Sequence, residues 1–407
     1  MKIFKNKRAL GITSLSHFLN DGNFTILLLI YTFAISSIGI SAFLTGIMAG
    51  SFFIASAITA PIIGRIADKF QHPTRLISYG ILLWGVGIII LGYGTSFENI
   101  PLMFIAIIIT GISSAFYHPL GGLVLSNTYG EDKGSALGFN GSLGSVGRAI
   151  FPTITLFIFD SFSGKTIDMS YTLLIMGLIS LGASLPIFLI KVESNTTNED
   201  IKNIVADNNI RRFSLLLILF TLIMLFVGIF LQGIFQFLPT LLVIAFKYRF
   251  GIDLGLILTL ILSASVIGQP VLGLLSDKFG RKYTFLGAVF CSLLFFFLAL
   301  YFQSIIWLII FGFFAFNSFP MILSLIGDLF PKKNRGFANS FIWGLGTSGG
   351  GAIGPILVGY FTELTGLISA MTFIIGFGLV PLILILFIPN PKKIHKNNMK
   401  KEEEHLS

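Results

Sequence analysis

The residues of this chain that could do chemistry are a few titratable side chains inside apolar stretches. His17 and Asp21 lie four positions apart, with Asn20 between them, so a helix would present all three on one face. His118 and Arg148 lie in two further apolar stretches. The pattern predicts proton binding or ion pairing. It does not favour hydrolysis, because no nucleophile, base and orienting group cluster in the sequence.

The depths of these residues in their helices predict how they pair. At 1.5 Å per residue, Asp21 lies about 18 Å from the start of its span and Arg148 about 21 Å from the start of its own. By the same count, His17 and His118 each lie roughly 12–14 Å from the same membrane face. We therefore expect an ion pair between Asp21 and Arg148, with a layer of histidines beneath it.

Each of these residues has a functional and a structural interpretation. Asp21 is either a protonation site that responds to the entry and exit of water, or a permanently paired carboxylate. Arg148 either clamps an anionic group such as a carboxylate or phosphonate, or serves only as the counter-ion of Asp21, which we favour. His118 precedes Pro119 and either relays a proton, contacts a substrate or simply packs.

The composition shows which elements must position these side chains. Charged residues make up 11% of the 407 residues and hydrophobic residues 54%, whereas soluble domains carry about 25% charged residues. The chain is therefore expected to be an all-α membrane protein, because helices satisfy their own backbone in lipid. The first apolar stretch is too long for a signal peptide, and we interpret it as a retained helix. Cys291 is the single cysteine, which excludes an internal disulfide.

Apolar stretches predict about twelve transmembrane helices in two pseudo-symmetric halves of six. We expect an N-terminal half over 1–190, a linker over 191–212, a C-terminal half over 213–391 and a polar tail over 392–407. The twelve predicted spans are 9–36, 40–63, 76–96, 100–126, 134–159, 170–190, 213–240, 252–275, 283–303, 305–328, 336–361 and 367–389.

Basic residues predict the orientation of these spans. The membrane face that carries the N terminus, here called side A, holds 23 of the 27 Lys and Arg residues, and the opposite face, side B, holds three. Side A is therefore expected to be the cytoplasm, with both termini and the linker inside. Basic loops beside anionic lipid also explain the net charge of +9, so no nucleic-acid partner is expected. We expect a monomer in the cell membrane.

An internal repeat supports the two-half arrangement. The charged turn Gly273–Lys282 reads Gly-Leu-Leu-Ser-Asp-Lys-Phe-Gly-Arg-Lys, and Gly64–Phe70 repeats its Gly and Asp with a constant offset of 209 positions. A constant offset of this kind indicates duplication. The turn follows the second predicted span in each half.

Twelve spans in two similar halves with this turn resemble the major facilitator superfamily. Gly273, Asp277, Gly280, Arg281 and Lys282 match that family's Gly-x-x-x-Asp-x-x-Gly-Arg-Lys pattern. In the first half only two matching residues remain, Gly64 and Asp68. The resemblance implies a gating turn in which Asp277 accepts hydrogen bonds from Arg281 and from the start of the next helix. The alternative is a basic loop that only sets topology.

Two shorter motifs resemble the fosmidomycin-resistance branch of that superfamily. They are Ser16–Asp21, which contains His-x-x-Asn-Asp, and Phe116–Pro119, which reads Phe-Tyr-His-Pro. Glycine-rich stretches at Gly141–Gly147 and Gly346–Gly354 resemble the glycine-rich motif of antiporters. We expect them to let helix backbones approach each other across the interface between the halves.

The resemblance implies secondary active transport by alternating access, with proton-coupled efflux of a small organic molecule as the leading hypothesis. One alternative is proton-coupled uptake of a small organic anion at Arg148, and another is a receptor or scaffold on the same fold. No enzyme activity and no cofactor beyond a proton gradient are expected. The second half contributes neutral candidates that either bind substrate or bond neighbouring helices: Gln232, Gln236, Gln269, Asn317 and Trp343.

Overall fold

The structure is a computed structural model. It describes residues 6–67, 72–129, 133–162, 166–190, 192, 210–316, 318–330 and 335–389. Two predicted site residues, Asp68 and Asn317, and the predicted tail at 392–407 lie outside these ranges.

The N-terminal half contains six long helices that match the first six predicted spans. A π-helical turn at Ala34–Ile38 extends the first of them to side B. The six helices are α1 (Lys7–Phe33), α2 (Ala42–Ala67), α3 (Pro73–Ser96), α4 (Ile100–Tyr129), α5 (Lys133–Ser161) and α6 (Thr166–Leu189).

The C-terminal half is also helical, and two of its crossings contain a π-helical segment. A π-helical segment at Ile342–Ser348 joins α12 to α13, and another at Leu241–Ala245 follows α7. The helices are α7 (Ile210–Thr240), α8 (Ile252–Phe279), α9 (Arg281–Phe302), α10 (Ile305–Ala315), α11 (Ser318–Leu329), α12 (Arg335–Phe341), α13 (Gly349–Thr365) and α14 (Leu367–Leu384).

The predicted single span at 305–328 is wrong in detail. The described residues contain 11 helical stretches long and apolar enough to cross a membrane, and this region forms two shorter helices instead. Pro320 lies in the first turn of α11, where the missing N–H of a proline is tolerated. The tenth crossing is therefore built from α10 and α11 together.

Among the described residues, the most extensive packing between the two halves involves three helix pairs. They are α2 with α13, α5 with α8, and α1 with α7. Within the N-terminal half, α1 packs along α5, and α3 packs along α4 and α6. The candidate functional residues on α1, α4 and α5 therefore all lie in the N-terminal half. Two of these helices, α1 and α5, also contact helices of the C-terminal half.

The glycine-rich stretches mostly serve contacts other than those expected from the sequence. A Cβ at Gly147 would collide with the backbone of Phe18 on α1, and one at Gly350 would collide with Leu225 on α7. Both contacts lie within a half, so the expected approach across the interface is wrong for these residues. The expected approach between the halves does occur at Gly351, where a Cβ would meet the Phe53 ring at 2.6 Å, and at Gly46, where a Cβ would meet the backbone of Pro355.

At side B, one carboxylate from each half accepts hydrogen bonds from the other half, and the two contacts are pseudo-symmetric. Asp160 at the end of α5 accepts hydrogen bonds from Arg249 Nη2 at 2.7 Å and from the Ile252 backbone N–H at 2.8 Å, at the start of α8. Glu363 near the end of α13 accepts from the Phe43 backbone N–H at 3.3 Å, at the start of α2. Each carboxylate thus caps a helix N-terminus of the opposite half, where the partial positive charge favours an anion.

Near side A the same helices have more space around them. A Cβ added at Gly64, Gly141 or Gly273 would meet no atom within 4 Å. Near side B, in contrast, a Cβ at Gly255 would contact Thr153 of the other half at 2.8 Å. The contact at Gly255 therefore places a close approach between the halves towards side B.

Removing the carboxylate of Asp160 is expected to loosen the side-B closure. Loss of a helix cap costs about 0.5–2 kcal/mol, and 1–2 kcal/mol changes a two-state ratio by about 5- to 30-fold. Asp160→Ala should therefore increase the population that is open at side B. Spin labels at the exposed positions 97 and 302, in a Cys291→Ser background, should report a longer distance between the halves.

The matched control for this change is Asp253→Ala. Asp253 is an exposed carboxylate in the first turn of α8, close to the same interface. Its removal should leave the distance distribution unchanged. Equal distributions in Asp160→Ala and the unmodified protein would show that the cap does not contribute to closure.

Candidate functional site

Asp21 is the centre of a charged cluster inside the N-terminal half. Its side chain is 5% exposed and lies midway along α1. Oδ2 lies 3.2 Å from Arg148 Nη1 and 3.3 Å from His17 Nε2. Oδ1 lies 3.7 Å from His118 Nε2 and accepts a hydrogen bond of 3.1 Å from Asn20 Nδ2. The expected contact between Asp21 and Arg148 is confirmed, and both histidines reach the same carboxylate.

Arg148 connects this cluster to the other half. Its Nη2 donates to Ser145 Oγ at 2.9 Å, one turn earlier on α5, while Nη1 contacts Asp21. The guanidinium carbon also lies 5.9 Å from the ring centroid of Phe316, beyond the end of α10. The side chain keeps 26% exposure, so it reaches the space between the halves. Its position suits both a counter-ion and a group that meets a ligand.

His17 is held by more contacts than His118, the other histidine near Asp21. Its Nδ1 lies 2.9 Å from Asn140 Oδ1, and its ring stacks on Tyr117 with centroids 4.6 Å apart. Gly144 permits this position, because a Cβ there would collide with the His17 ring. His118, in contrast, has a side chain that is 48% exposed. The cluster around Asp21 therefore contains one histidine that is held in place, His17, and one that is accessible, His118.

Asn20 anchors the other side of the carboxylate. Its Oδ1 accepts a hydrogen bond of 3.0 Å from Trp84 Nε1 on α3, while its amide nitrogen donates to Asp21. Trp84 is completely buried. Asp21 is thus linked by hydrogen bonds to a tryptophan of the third helix, which fixes the carboxylate orientation.

An apolar layer separates this cluster from side B. It is formed by residues of both halves, and aromatic rings dominate it: Phe24 and Phe235 lie 5.8 Å apart, and Phe235 and Phe316 lie 5.1 Å apart. The layer consists of Phe24, Leu28, Ala149, Phe235, Leu262 and Phe316. Together with the side-B contacts, it leaves side A as the wider approach to the charged cluster.

Three of these side chains form a set of donor atoms that could surround a metal ion. One donor atom from each of His17, Asp21 and His118 lies within 4.8 Å of the others. The permanent positive charge of Arg148 lies 3.2 Å from the same carboxylate. A divalent cation here would meet that charge at close range, so the donor set fits a proton better than a resident metal.

Four of the five neutral candidates of the second half lie on α7, on α8 and in the π-helical segment before α13, whereas Asn317 lies outside the described residues. Gln236 Nε2 donates to Gln232 Oε1 at 3.3 Å along α7, as their spacing of four predicts. Gln269 is half-buried on α8, and Trp343 is 38% exposed in the π-helical segment before α13. Within the described ranges, no hydrogen bond links Gln232, Gln236 or Gln269 to Asp21. The contribution of the second half that does reach Arg148 is Phe316.

The charged turn makes contacts different from those expected. Arg281 does not pair with Asp277 but donates to Asp328 Oδ1 at 2.6 Å and to the Ser324 carbonyl at 2.7 Å. Asp277 is exposed at the end of α8. Gly280 ends α8 with a φ of +99°, so Asp277 and Arg281 do not share one helical face, and α9 packs against α11.

Lys282 makes a second connection from the same turn. Its Nζ donates to the carbonyls of Leu386 and Ile388 at 2.9 and 2.6 Å, at the end of the last helical segment. These carbonyls belong to the half that also contains Arg281 and Asp328. In this conformation the described contacts of Arg281 and Lys282 therefore tie the second half together and do not bridge the halves.

Sequence reasoning missed several residues that complete the cluster. Asn140 and Ser145 lie on α5, two turns and one turn of helix before Arg148, and Tyr117 adjoins His118. Asn140 could have been found as a polar amide inside a predicted span, since such residues are expensive in lipid. Trp84 and Phe316 could not, because an aromatic residue in an apolar span carries no comparable pattern.

Together these features define a class of protein. Two six-crossing helical halves enclose a buried charged cluster near the membrane midplane, approached from one side and closed on the other. This is the arrangement of a secondary transporter with a midplane site between structural repeats. The family model of the Major Facilitator Superfamily matches residues 13–260 and 250–407. The chain belongs to this superfamily and is a transporter of small molecules.

Relatives support the same fold and class. The chain is 24% identical over 402 residues to the fosmidomycin resistance protein of Escherichia coli (strain K12), covering 95% of this chain and 94% of that protein. The sialic acid transporter NanX of the same organism is 31% identical over 161 residues, covering 37% of this chain and 39% of that protein.

Solved structures show the same architecture at low sequence identity. A bacterial homologue of the human lysosomal transporter Spinster, in an inward-facing and occupied conformation, superimposes with a TM-score of 0.75 at 14% identity, covering 93% of this chain and 95% of that one. The nucleoside transporter NupG gives a TM-score of 0.71 at 15% identity, covering 95% and 98%. At these identities the similarity establishes the fold alone.

Proposed function

We propose that this protein is a proton-coupled exporter of a small organic molecule in the cell membrane, with side A in the cytoplasm. The observation that carries the proposal is the Asp21 cluster. It combines a buried carboxylate, a permanent cation and two histidines within 3.7 Å of that carboxylate. The extended similarity to the fosmidomycin resistance protein supports the direction of transport.

The mechanism follows from the electrostatics of the cluster. Asp21 balances Arg148 when the histidines are neutral, and a proton adds one positive charge to a site largely removed from water. A substrate that binds more strongly to the unprotonated cluster would compete with the proton. Substrate and proton would therefore exchange at this site. Closure of side A and opening of side B would then release the substrate outside while admitting a proton.

In the proposed cycle we assign the described conformation to the inward-open state. The assignment rests on the side-B carboxylate caps and the apolar layer, both of which are closed. From this state, a cytoplasmic substrate would reach the exposed face of His118 and the partly exposed guanidinium of Arg148. The charged turn at Gly273–Lys282 is the element that we expect to contact the other half when side A closes.

Proton-coupled uptake of an organic anion is the second candidate. It is favoured by Arg148, whose planar guanidinium binds carboxylates with two parallel hydrogen bonds. An anion that draws Arg148 away from Asp21 leaves that carboxylate without its cation, so a proton would bind together with the anion. Proton and anion would then move in the same direction. The partial similarity to a sialic acid transporter is compatible with this candidate.

Flux in proteoliposomes decides between these candidates. The full chain, reconstituted with an imposed pH gradient, should move labelled fosmidomycin against the direction of proton flow and show little movement of labelled sialic acid. The Asp160→Ala variant, which retains the Asp21 cluster, provides a control for gating defects. Co-directional movement of sialic acid and protons would instead support uptake. Flux of either probe that ignores the gradient would contradict proton coupling.

A further inference from the structure

We propose that the side-A end of helices α3 and α6 binds an anionic phospholipid of the surrounding bilayer, and that the guanidinium of Arg75 holds the phosphate of its headgroup. Such a site is independent of the direction of transport and of proton coupling. Arg75 lies in the first turn of α3 at a membrane face, whereas Asp21 lies midway along α1.

Contacts with the end of α6 hold Arg75 in place. Its guanidinium carbon lies 5.3 Å from the ring centroid of Phe188, in the last turn of α6. The neighbouring Thr74 hydroxyl donates to the Ile190 carbonyl at 3.3 Å, just beyond that helix. The aromatic ring attracts the cation. A permanent positive charge is therefore positioned where α3 and α6 meet at side A.

The described protein supplies no anion for this charge. Among the described residues, Arg75 belongs to no ion pair, and its Nε is withdrawn from solvent without a hydrogen-bond partner. Nδ1 of His72, at the N-cap of α3, is a second such atom. A guanidinium carries five N–H donors and binds phosphate oxygens through two parallel hydrogen bonds. Arg75 therefore has donors left for a phosphate.

The corresponding cations of the C-terminal half have partners within the protein. Arg281 donates to Asp328 on α11, and Lys282 donates to two backbone carbonyls at the end of the last helical segment. In the N-terminal half the crossing equivalent to α10 and α11 is α4, and Ile100–Tyr129 contains no Asp or Glu. No carboxylate of α4 can therefore balance Arg75 as Asp328 balances Arg281.

The surface next to Arg75 suits the acyl chains of a lipid. Tyr79 and Leu82 follow Arg75 by four and seven positions, so they share its face of α3, and both are exposed. On α6, Leu185 and Leu189 lie one turn apart and are also exposed. Both helices are long and apolar enough to cross a membrane. A phosphate at Arg75 would thus have apolar surface directly beneath it, which a soluble anion would leave uncovered.

The charge balance favours an anionic over a zwitterionic headgroup. Side A holds 23 of the 27 Lys and Arg residues, and anionic lipids concentrate beside basic segments. A zwitterionic headgroup adds an ammonium group, for which the described residues around Arg75 offer no paired carboxylate. Phosphatidylglycerol, whose headgroup carries only the phosphate charge, is therefore the appropriate probe.

Native mass spectrometry of the full chain in detergent, with phosphatidylglycerol added, measures binding at this site. Arg75→Gln should weaken the tightest phosphatidylglycerol site about tenfold, because hydrogen bonds to a charged group are lost. The matched control Arg65→Gln removes an exposed arginine in the last turn of α2 and should bind like the unmodified protein. Phe188→Leu keeps the charge but removes the ring beneath it, and should weaken binding by a smaller factor.

Thermal unfolding of the same proteins provides a second measurement, since a ligand of the folded state raises the melting temperature. Phosphatidylglycerol should raise it more than phosphatidylethanolamine with the same acyl chains, and Arg75→Gln should lose this difference while Arg65→Gln keeps it. Inorganic phosphate and glycerol 3-phosphate should have no effect.

Several results would overturn the proposal. Tight binding of phosphatidylglycerol that survives in Arg75→Gln, or that weakens equally in Arg65→Gln, would show that Arg75 does not form a specific site. An equal rise in melting temperature with phosphatidylethanolamine would contradict selection of an anionic headgroup. A rise with inorganic phosphate alone would identify a site for soluble anions. If Arg75→Gln does not fold, unchanged affinity in Phe188→Leu overturns the assignment.

Discussion

Asp21→Asn is expected to reduce gradient-driven accumulation of substrate to the level of empty liposomes. The amide has the shape of the carboxylate but lacks the charge that balances Arg148 and attracts a proton to the histidines. The imposed gradient would then have no group through which to act. Exchange of substrate without a gradient should persist, because the helices that change access are untouched. Both fluxes are measurable in the same proteoliposome preparation.

Asp253→Asn is the control for Asp21→Asn. It makes the same chemical change at an exposed position at the start of α8, and transport should remain unchanged. If Asp21→Asn still concentrates substrate against its gradient, the carboxylate is not needed for coupling. Loss of exchange together with accumulation would instead indicate that Asp21 is required for the conformational cycle or for substrate binding.

Much of the fold could be predicted from the sequence because membrane helices are specified by local composition. A span needs only about 20 apolar residues, so its location follows without knowledge of any contact. The exception at 305–328 arises where the chain is apolar throughout but α10 ends at Ala315. The hydropathy pattern gives no sign of such an interruption, although the helix ends there.

The core of the candidate site could also be predicted, for a physical reason. A charged residue inside a span needs a partner, and Asp21 and Arg148 were the two oppositely charged residues at similar depth. Depth alone could not show that both histidines also reach Asp21. That outcome depends on the rotation of α1, α4 and α5 about their axes, which contacts such as that of Gly144 with His17 determine.

The charged turn illustrates the opposite case. Its residues match a family pattern, yet in this conformation Arg281 pairs with a different carboxylate from the one expected. Asp277 lies four residues before Arg281, but Gly280 interrupts the helix between them, so the spacing no longer places them on one face. The partner that forms, Asp328, is 47 residues away and depends on how α11 packs against α9. Such a partner cannot be derived from local spacing.

Arg148→Ala is expected to destabilise the protein strongly, and the added change Asp21→Asn is expected to restore most of the loss. Removing one member of a buried ion pair strands the other charge and costs about 3–5 kcal/mol. The cost should fall at the lower end of this range, because His17 and His118 remain near Asp21 and Arg148 itself is partly exposed. In the double variant no carboxylate is stranded, so the reason for the destabilisation disappears.

The melting temperatures of both single variants and the double variant in detergent measure this coupling directly. Arg148→Lys is the matched control, since it keeps the positive charge but loses the planar guanidinium, and it should melt close to the unmodified protein. If Arg148 is mainly a ligand clamp, the site is hydrated when empty and Arg148→Ala should leave melting unchanged while abolishing anion transport. That result would contradict the counter-ion interpretation and favour anion uptake. We expect recovered stability in the double variant with impaired transport, because the charges that hold the helices together are also those through which the proton acts.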